Sequence, residues 1–365
     1  MNPSLTSPFD LGTRTFKNRM IAAPPPTMTC TFDGLVTAET IEYYQRLAET
    51  GVAAVILEGA AVTTNARAWT KHLDLSRPEI LTGLSQVSEK IRRGGALPFL
   101  QLYHGGCNSI PVEGKKLYGV GKPLLKKISA DIRPLSQDMI DQIIRDFVAA
   151  AVLAWNAGFS GIEIQGAEGS LIQQFLSPLT NCRDDEYGLK NANGAFFARQ
   201  VIRGIKNVTP DLTLSMRLSL KDLLPGGNGI RQAVSAAKLF KQEGVDVFHV
   251  TEGLMVGNPL MIHPAVGKAA PETPFAEDAQ IFRHEVEHPV MLSGKIDRPA
   301  AAEQKISRNV CDFVSLGRTL NRNPRLPAFA GKPEEFKGLP CLRCKVCIAA
   351  AKGCPDKHIP FARII

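Results

Sequence analysis

The chain has 365 residues, of which 44% are hydrophobic and 21% are charged, and its formal net charge is +8. This composition can bury a large core without disulfide or metal staples. The positive charge is spread along the sequence without an aromatic-interleaved basic tract, which argues against nucleic acid as a partner. There is no apolar stretch of transmembrane length and no signal-peptide pattern at the start, so we expect a cytoplasmic protein that does not bind membranes.

Short β-branched segments alternate with amphipathic helical segments along the chain. The predicted strands are residues 20–23, 52–58, 97–103, 161–165, 212–218, 245–250, 290–293 and 313–316. Between strands, an apolar stripe after Ser136 predicts a capped helix, and a second helix ends before Gly244. Eight such units predict an α/β fold, a closed TIM (β/α)8 barrel over residues 1–330, followed by a cysteine-rich extension over residues 331–365.

Polar residues and glycines follow the predicted strands, where such a barrel carries its chemistry. In strand order they are Gln101, Tyr103 and His104; Glu163, Gln165 and Glu168; Arg217; His249 and Thr251; Ser293, Gly294 and Lys295; and Gly317 and Arg318. Glycine with a cation after the last two strands predicts a phosphate site, because bare N–H groups can approach an anion and arginine adds a fork of donors.

One loop is rich in lysine and precedes the predicted helix at Ser136. It contains Lys115, Lys116, Lys122, Lys126 and Lys127. If this loop overhangs the site, it favours an anionic substrate or an acidic redox partner.

Four of the eight cysteines, Cys341, Cys344, Cys347 and Cys354, crowd the end of the sequence. The C-x2-C-x2-C spacing brings three thiolates together from one turn, and a fourth cysteine followed by proline is typical of a [4Fe–4S] site. A four-thiolate zinc site is the alternative, although zinc usually takes two separated C-x2-C pairs. A disulfide framework is a further alternative, disfavoured by the length of the chain and the absence of a secretory context.

The segments NRMIAAP at the first strand, LQLYHGG at the third and FLSPLTNCRDDEYG after the fourth carry a family resemblance. They resemble the old yellow enzyme family of FMN-dependent oxidoreductases. The cysteine-rich end is similar to the branch that contains 2,4-dienoyl-CoA reductase and trimethylamine dehydrogenase, in which a [4Fe–4S] cluster passes single electrons to FMN.

The resemblance implies a set of flavin contacts in this chain. Pro24, Pro25 and Pro26 would lie against the flavin, as would Gly59 or Ala60. Gln101 would bond to the pyrimidine edge, and Arg217 would place positive charge near N1 of the reduced flavin. The ribityl phosphate would be held by Gly294, Gly317 and Arg318.

The chain departs from the family after the fourth strand. Where alkene-reducing members usually carry His-x-x-His or His-x-x-Asn and then a tyrosine, this sequence has Gln165, Glu168 and Ser170. Glutamate opposes a developing oxyanion and serine is a poor acid at neutral pH, so we expect poor turnover of simple enones. Tyr103 and His104 are the further candidates for a catalytic role.

We therefore expect an FMN- and [4Fe–4S]-dependent oxidoreductase that transfers hydride between flavin N5 and a small substrate. That substrate would be an unsaturated carbonyl, carboxylate or thioester compound. An amine dehydrogenase or demethylase and a non-catalytic electron-transfer subunit are the alternatives. The sequence ends eleven residues after Cys354, without the nucleotide-binding domains of the iron–sulfur branch. A ferredoxin or flavoprotein is therefore the expected electron donor rather than NAD(P)H, and a homo-oligomer is compatible with the sequence.

Overall fold

A computed structural model describes residues 3–110, 116–121, 132–255 and 270–341 of the protein. Two short antiparallel strands come first, β1 (Phe9–Leu11) and β2 (Arg14–Phe16). Eight parallel strands then close into a barrel: β3 (Met20–Ala22), β4 (Ala54–Ala61), β5 (Leu97–Tyr103), β8 (Gly161–Gly166), β9 (Thr213–Ser219), β10 (Val247–Thr251), β11 (Val290–Ser293) and β12 (Phe313–Leu316). These are the eight predicted strands, and the predicted α/β barrel is confirmed.

The remaining two strands form a small parallel pair beyond β5, β6 (Leu117–Gly119) and β7 (Ile132–Pro134). The described helices are α1 (Ala38–Glu49), α2 (Ile80–Arg93), α3 (Gln137–Asn156), α4 (Leu171–Leu176), α5 (Phe196–Val208), α6 (Ile230–Gln242), α7 (Ala276–Val286), α8 (Pro299–Ser307) and α9 (Arg318–Arg322). Ser136 caps α3 as predicted, since its hydroxyl accepts a hydrogen bond from the Met139 N–H. Within the described ranges, no helix combines the length and apolar character needed to span a bilayer.

The amino-terminal end of the barrel is closed by an apolar plug. Inward-facing residues of the strands, such as Phe99 and Phe313, pack with Leu11 and Phe16 of the β1–β2 hairpin. The Phe16 ring lies 4.9 Å from Phe313 and 6.0 Å from Phe99. Burying a side chain of this size contributes about 1.5–3 kcal/mol. The apolar plug fills one end, so the polar inner layer lies toward the carboxyl ends of the strands.

The segment after the barrel is hydrogen-bonded to the residues that follow β12. The Leu339 carbonyl accepts hydrogen bonds from Arg322 Nε at 3.1 Å and from Asn323 Nδ2 at 2.8 Å. The half-buried Cys341 follows two residues later. The predicted domain boundary after residue 330 stays a prediction.

Candidate active site

Four neighbouring strands place polar side chains in one inward-facing layer of the barrel. In the strand register, Gln101 of β5 pairs with Glu163 of β8, and Glu163 pairs with Ser215 of β9. One step further along, Gln165 pairs with Arg217, which in turn pairs with His249 of β10. Residues that are far apart in sequence are therefore neighbours across the barrel.

Glu163 is the centre of this layer. Its Oε1 accepts a hydrogen bond from Gln101 Nε2, and its Oε2 accepts from Ser215 Oγ and His249 Nδ1, each at 2.8 Å. Burial alone would raise the pKa of Glu163, but His249, Arg217 and Ser215 together hold it below its ordinary value. The carboxylate is therefore ionised. It accepts the hydrogen bond of the Gln101 NH2 group, so the Gln101 amide oxygen points away from Glu163.

His249 connects Glu163 to Arg217. Its Nδ1–H donates to Glu163, and its Nε2 lies 3.4 Å from Arg217 NH1. Burial lowers the pKa of His249, and the arginine donor facing Nε2 leaves no position for a second proton. We therefore describe His249 as a neutral imidazole of fixed tautomer. Because Glu163 fixes the imidazole ring, His249 helps to hold the Arg217 guanidinium in one orientation.

Arg217 is paired with Glu168. Arg217 NH2 donates to Glu168 Oε1 at 2.9 Å, and Gln165 Nε2 lies 3.4 Å from Glu168 Oε2. Burial would raise the pKa of Glu168, but the neighbouring Arg217 guanidinium lowers it, so the pair is ionic. Within the described residues, Arg217 Nε and Gln165 Oε1 are buried without a hydrogen-bond partner. Both atoms are therefore available to meet a ligand.

The other three predicted catalytic residues have different surroundings. Ser170 Oγ donates a hydrogen bond to the Gln165 carbonyl at 2.8 Å, so the hydroxyl proton is engaged by the backbone of the same loop. Tyr103 shares the inner face with Gln101, since an ideal Cβ on Gly59 would approach both side chains, and its ring lies 5.5 Å from Trp69 and 5.1 Å from His72. His104 differs from the expectation. It follows Tyr103 and so faces the other way, and it lines a cavity outside the barrel.

Strand β4 contains a bulge at the residues predicted to contact the flavin. The register with β5 shifts between Leu57 and Gly59, which sets Gly59 opposite Gln101 and Ala60 opposite Leu102. An ideal Cβ on Gly59 would lie 3.0 Å from Gln101 Oε1. Ala60 instead packs in the core outside the barrel interior. Of the two predicted contacts, only Gly59 lies beside Gln101.

The bulge residue, Glu58, is fully buried and ties β4 to the chain after β3. Its Oε2 accepts from the Thr27 N–H at 3.1 Å, and its Oε1 bonds to the Thr27 hydroxyl and to Tyr44 OH. Burial raises the pKa of Glu58 to about 7. Because Thr27 directly follows the half-buried segment 24–26, Glu58 fixes the position of Pro24, Pro25 and Pro26.

The predicted phosphate residues follow β11 and β12, which are adjacent in the barrel. Gly294 has φ of 113°, a conformation that favours glycine. An ideal Cβ on Gly317 would contact only the Ala23 Cβ, at 3.5 Å, among the described residues. Arg318 is the first residue of α9, and the buried Ser315 Oγ below it has no hydrogen-bond partner in the described part of the chain.

The predicted cluster ligands are only partly described. Cys341 is half-exposed and free, whereas Cys344, Cys347 and Cys354 lie outside the described residues. Among the residues that the structure does describe, no group of three His, Cys, Asp or Glu side chains could hold a metal ion. The [4Fe–4S] site stays a prediction.

Comparison with known proteins gives the family. A model of the NADH:flavin oxidoreductase / NADH oxidase family matches residues 4–333. The chain belongs to this family. An NADH oxidase of Thermoanaerobacter brockii is 32% identical over 348 residues, covering 94% of this chain and 53% of the relative. An NADPH dehydrogenase of Geobacillus sp. (strain WCH70) is 32% identical over 333 residues, covering 91% of this chain and 95% of the relative.

A solved structure agrees on the fold. A 2-naphthoyl-CoA reductase complex superposes with a TM-score of 0.85 at 24% identity, covering 93% of this chain and 54% of that one. The chain spans about half the length of this reductase and of the Thermoanaerobacter relative. Family membership confirms the predicted old yellow enzyme-like flavin oxidoreductase and supports FMN as its cofactor. It does not extend to the predicted iron–sulfur branch.

The described residues of this flavin oxidoreductase fit a flavin. The ring system needs a donor and an acceptor at its uracil-like edge, and a cation where reduction adds negative charge. Gln101 offers its amide oxygen beside the open surface of Gly59, and Arg217 offers a buried N–H without a described partner.

Glu163 and His249 orient these groups, a role that was not predicted from the sequence. The IEIQ segment of the fourth strand, residues 162–165, contained a pattern that could have identified Glu163. Its polar residues alternate with isoleucine, which is typical of one polar face.

Proposed function

We propose that the protein is an FMN-dependent oxidoreductase that uses a reduced nicotinamide nucleotide to reduce a small unsaturated substrate. The observation that carries this proposal is the buried chain of hydrogen bonds from Gln101 through Glu163, His249 and Arg217 to Glu168. When bound, FMN supplies reversible two-electron hydride chemistry.

The protein groups would orient the cofactor and balance its charge. Gln101 would accept a hydrogen bond from the pyrimidine edge, because Glu163 already holds its NH2 group. Arg217 would present its unpartnered Nε–H to the N1 side, and Gly59 would leave room for the ring. Gly294, Gly317 and Arg318 would hold the phosphate.

The donor in this proposal differs from the expected ferredoxin or flavoprotein. The two relatives that are 32% identical are named NADH oxidase and NADPH dehydrogenase, which favours a nicotinamide nucleotide. Rapid anaerobic mixing of the FMN-loaded protein with NADH, NADPH or reduced ferredoxin tests this proposal. We expect stoichiometric flavin bleaching fastest with one of the nicotinamide nucleotides. Bleaching by reduced ferredoxin alone would support a ferredoxin, rather than a nicotinamide nucleotide, as the electron donor.

The substrate class is inferred from the residues after β8. Glu168 is engaged by Arg217, so its charge is less available to a cationic amine than the sequence suggested. The pairing also makes Glu168 less repulsive toward an oxyanion, and it favours an unsaturated carbonyl, carboxylate or thioester compound over an amine. Simple enones remain poor substrates in this proposal, since the Ser170 hydroxyl donates its hydrogen bond to a backbone carbonyl and the sequence has no tyrosine at this position.

A substrate panel tests this inference. Cyclohexenone, crotonate, crotonyl-CoA and trimethylamine would be assayed with wild type, Glu168→Gln and a Gln165→His, Glu168→His, Ser170→Tyr triple variant. We expect crotonate or crotonyl-CoA to exceed cyclohexenone in the wild type, and the triple variant to gain enone activity. Turnover of trimethylamine alone would support the amine alternative. No turnover of any compound, with full flavin reduction, would support an electron-transfer subunit.

We also propose that the cysteine-rich end binds a [4Fe–4S] cluster. The support is the spacing of its four cysteines, together with the two hydrogen bonds that hold Leu339 to Arg322 and Asn323 after β12. Cys344→Ser should remove iron and acid-labile sulfide while FMN is retained, and Cys182→Ser is the matched control because Cys182 lies outside this segment. Stoichiometric zinc without sulfide would refute the cluster.

A further inference from the structure

A cavity lies outside the barrel wall, beside the loops that follow two of the strands carrying the proposed flavin site. Its volume is about 620 Å³, and it lies between the loops after β4 and β5, the β6–β7 pair and α3. Its apolar wall includes Leu135, Met139 and Ile143. This volume is in the range of small-molecule sites, which are mostly apolar with a few placed polar groups.

Strand geometry separates this cavity from the barrel interior. Tyr103 is on the inner face of β5 with Gln101, whereas the next residue, His104, lines the outer cavity. Consecutive residues at the end of a strand face opposite sides. A ligand in this cavity would therefore not occupy the position of the flavin ring.

Two residues of the cavity, His104 and Ser109, each have a hydrogen-bond donor for which no described residue is the acceptor. The His104 Nδ1 accepts from the Gly106 N–H at 3.0 Å, so Nε2 carries the proton, and no described residue accepts it. Ser109 Oγ also lacks a hydrogen-bond partner within the described residues. The exposed fractions of the two residues are 7% and 6%. A buried donor without an acceptor is costly, so a ligand acceptor would satisfy the Ser109 hydroxyl, and the His104 Nε2–H is a second donor that the same ligand could use.

The charged residues of the cavity favour a single negative charge on that ligand. Among the residues that the structure describes, Lys116 and Arg133 are exposed at its edge, and Asp146 is the one carboxylate that lines it. Gln142 Nε2 donates to Asp146 at 2.8 Å, so that carboxylate is already engaged. Two cations and one anion leave one formal positive charge, which a monocarboxylate balances better than a phosphate dianion does.

We propose that this cavity binds an amphipathic monocarboxylate, with its carboxylate at His104 and Ser109 and its apolar body along α3. This site is independent of the proposed oxidoreductase function, because it lies on the other side of β5. It also gives His104 a role as a ligand contact rather than a residue of the reaction.

Calorimetric titration of the FMN-loaded protein with decanoate tests the proposal. Decanol and inorganic phosphate serve as ligands that lack the carboxylate or the apolar body. Ser109→Ala should weaken decanoate binding about 10-fold, because it removes a buried hydrogen bond to a charged group. Arg133→Ala should weaken it only about 3-fold, because that cation is exposed. Met139→Trp should abolish binding by filling the cavity.

Control measurements keep the result specific. Arg231→Ala removes an exposed arginine on α6 that does not line the cavity, and it should bind decanoate like the wild type. Thermal unfolding and FMN content identify any variant that has lost its fold. Equal decanoate binding in wild type, Ser109→Ala and Met139→Trp would overturn the proposal. So would no decanoate binding by wild type, tighter binding of phosphate, or a decanoate titration that perturbs the flavin spectrum equally in wild type and Met139→Trp.

Discussion

Replacement of Glu163 by glutamine should change the orientation of the Gln101 amide. In the wild type, Glu163 Oε1 accepts from Gln101, while Oε2 accepts from Ser215 and His249. A glutamine has one carbonyl oxygen, which can keep the two bonds of Oε2. The NH2 group of the new glutamine then faces Gln101. Gln101 must therefore turn its amide oxygen toward residue 163 and its NH2 group toward the flavin.

The size of the effect follows from the three hydrogen bonds to a buried charge. Each bond to a charged group contributes about 1.5–3 kcal/mol, and bonds to a neutral amide contribute about 1 kcal/mol. The difference is about 0.5–2 kcal/mol for each of the three bonds, so we expect Glu163→Gln to lower the free energy of unfolding by about 1.5–6 kcal/mol. The inverted Gln101 amide puts a donor where the flavin edge needs an acceptor, so FMN should bind about 10- to 100-fold more weakly.

Urea unfolding measures the free energy, and recovery of FMN fluorescence on dilution measures cofactor binding. Ser215→Ala is the matched control, since it removes one bond to Glu163 and leaves the bond to Gln101 intact. It should lower stability by about 1.5–3 kcal/mol, the contribution of one bond to a charged group, and change FMN binding by less than about 2-fold. If Glu163→Gln keeps wild-type FMN affinity while Ser215→Ala loses it, the proposed orientation of Gln101 is wrong.

Three further predictions concern the same site. Arg217→Ala should lower the flavin reduction potential by about 30 mV, the two-electron equivalent of about 1.4 kcal/mol, when measured by spectroelectrochemistry. An unchanged potential would remove Arg217 from the N1 side. Arg318→Ala should weaken FMN retention about 10-fold or more, and Arg231→Ala should not, as measured by equilibrium dialysis. Equal retention in both would remove Arg318 from the phosphate site. Glu58 has a folded-state pKa of about 7, raised from 4.5 by burial, so protein stability should fall by on the order of 3 kcal/mol as pH rises from 4.5 to 7. Glu58→Gln should flatten urea-unfolding stability over that window, and a wild-type-like slope would contradict the assignment.

The barrel could be predicted because its signals are local. Each strand is a short apolar run between turn residues, and eight of them at regular spacing leave few arrangements other than a closed barrel. The predicted third strand, residues 97–103, has the same bounds in the structure. The carboxyl ends of the strands then identify Gln101 and Arg217 as site residues without knowledge of any contact.

The bulge in β4 could not be predicted from the sequence. The predicted strand ended at Glu58, whereas the structure continues to Ala61 with a shift in register between Leu57 and Gly59. Simple alternation would turn Glu58 into the barrel. The shift instead directs it to Thr27 and Tyr44, because an extra residue in one strand changes which face each side chain meets.

The charge balance of the site also depends on register, which the sequence does not specify. Glu168 taken alone suggests a negative charge that repels an oxyanion or attracts an amine. Arg217 lies on the next strand, and the left-handed backbone of Glu168, with φ of 56°, brings its carboxylate to that guanidinium at 2.9 Å. Because each charge satisfies the other, neither the repulsion predicted for Glu168 nor the full positive charge predicted for Arg217 is available to a ligand. The chemistry of this site therefore depends on the Arg217–Glu168 pair, and substitutions at the two positions should not be additive.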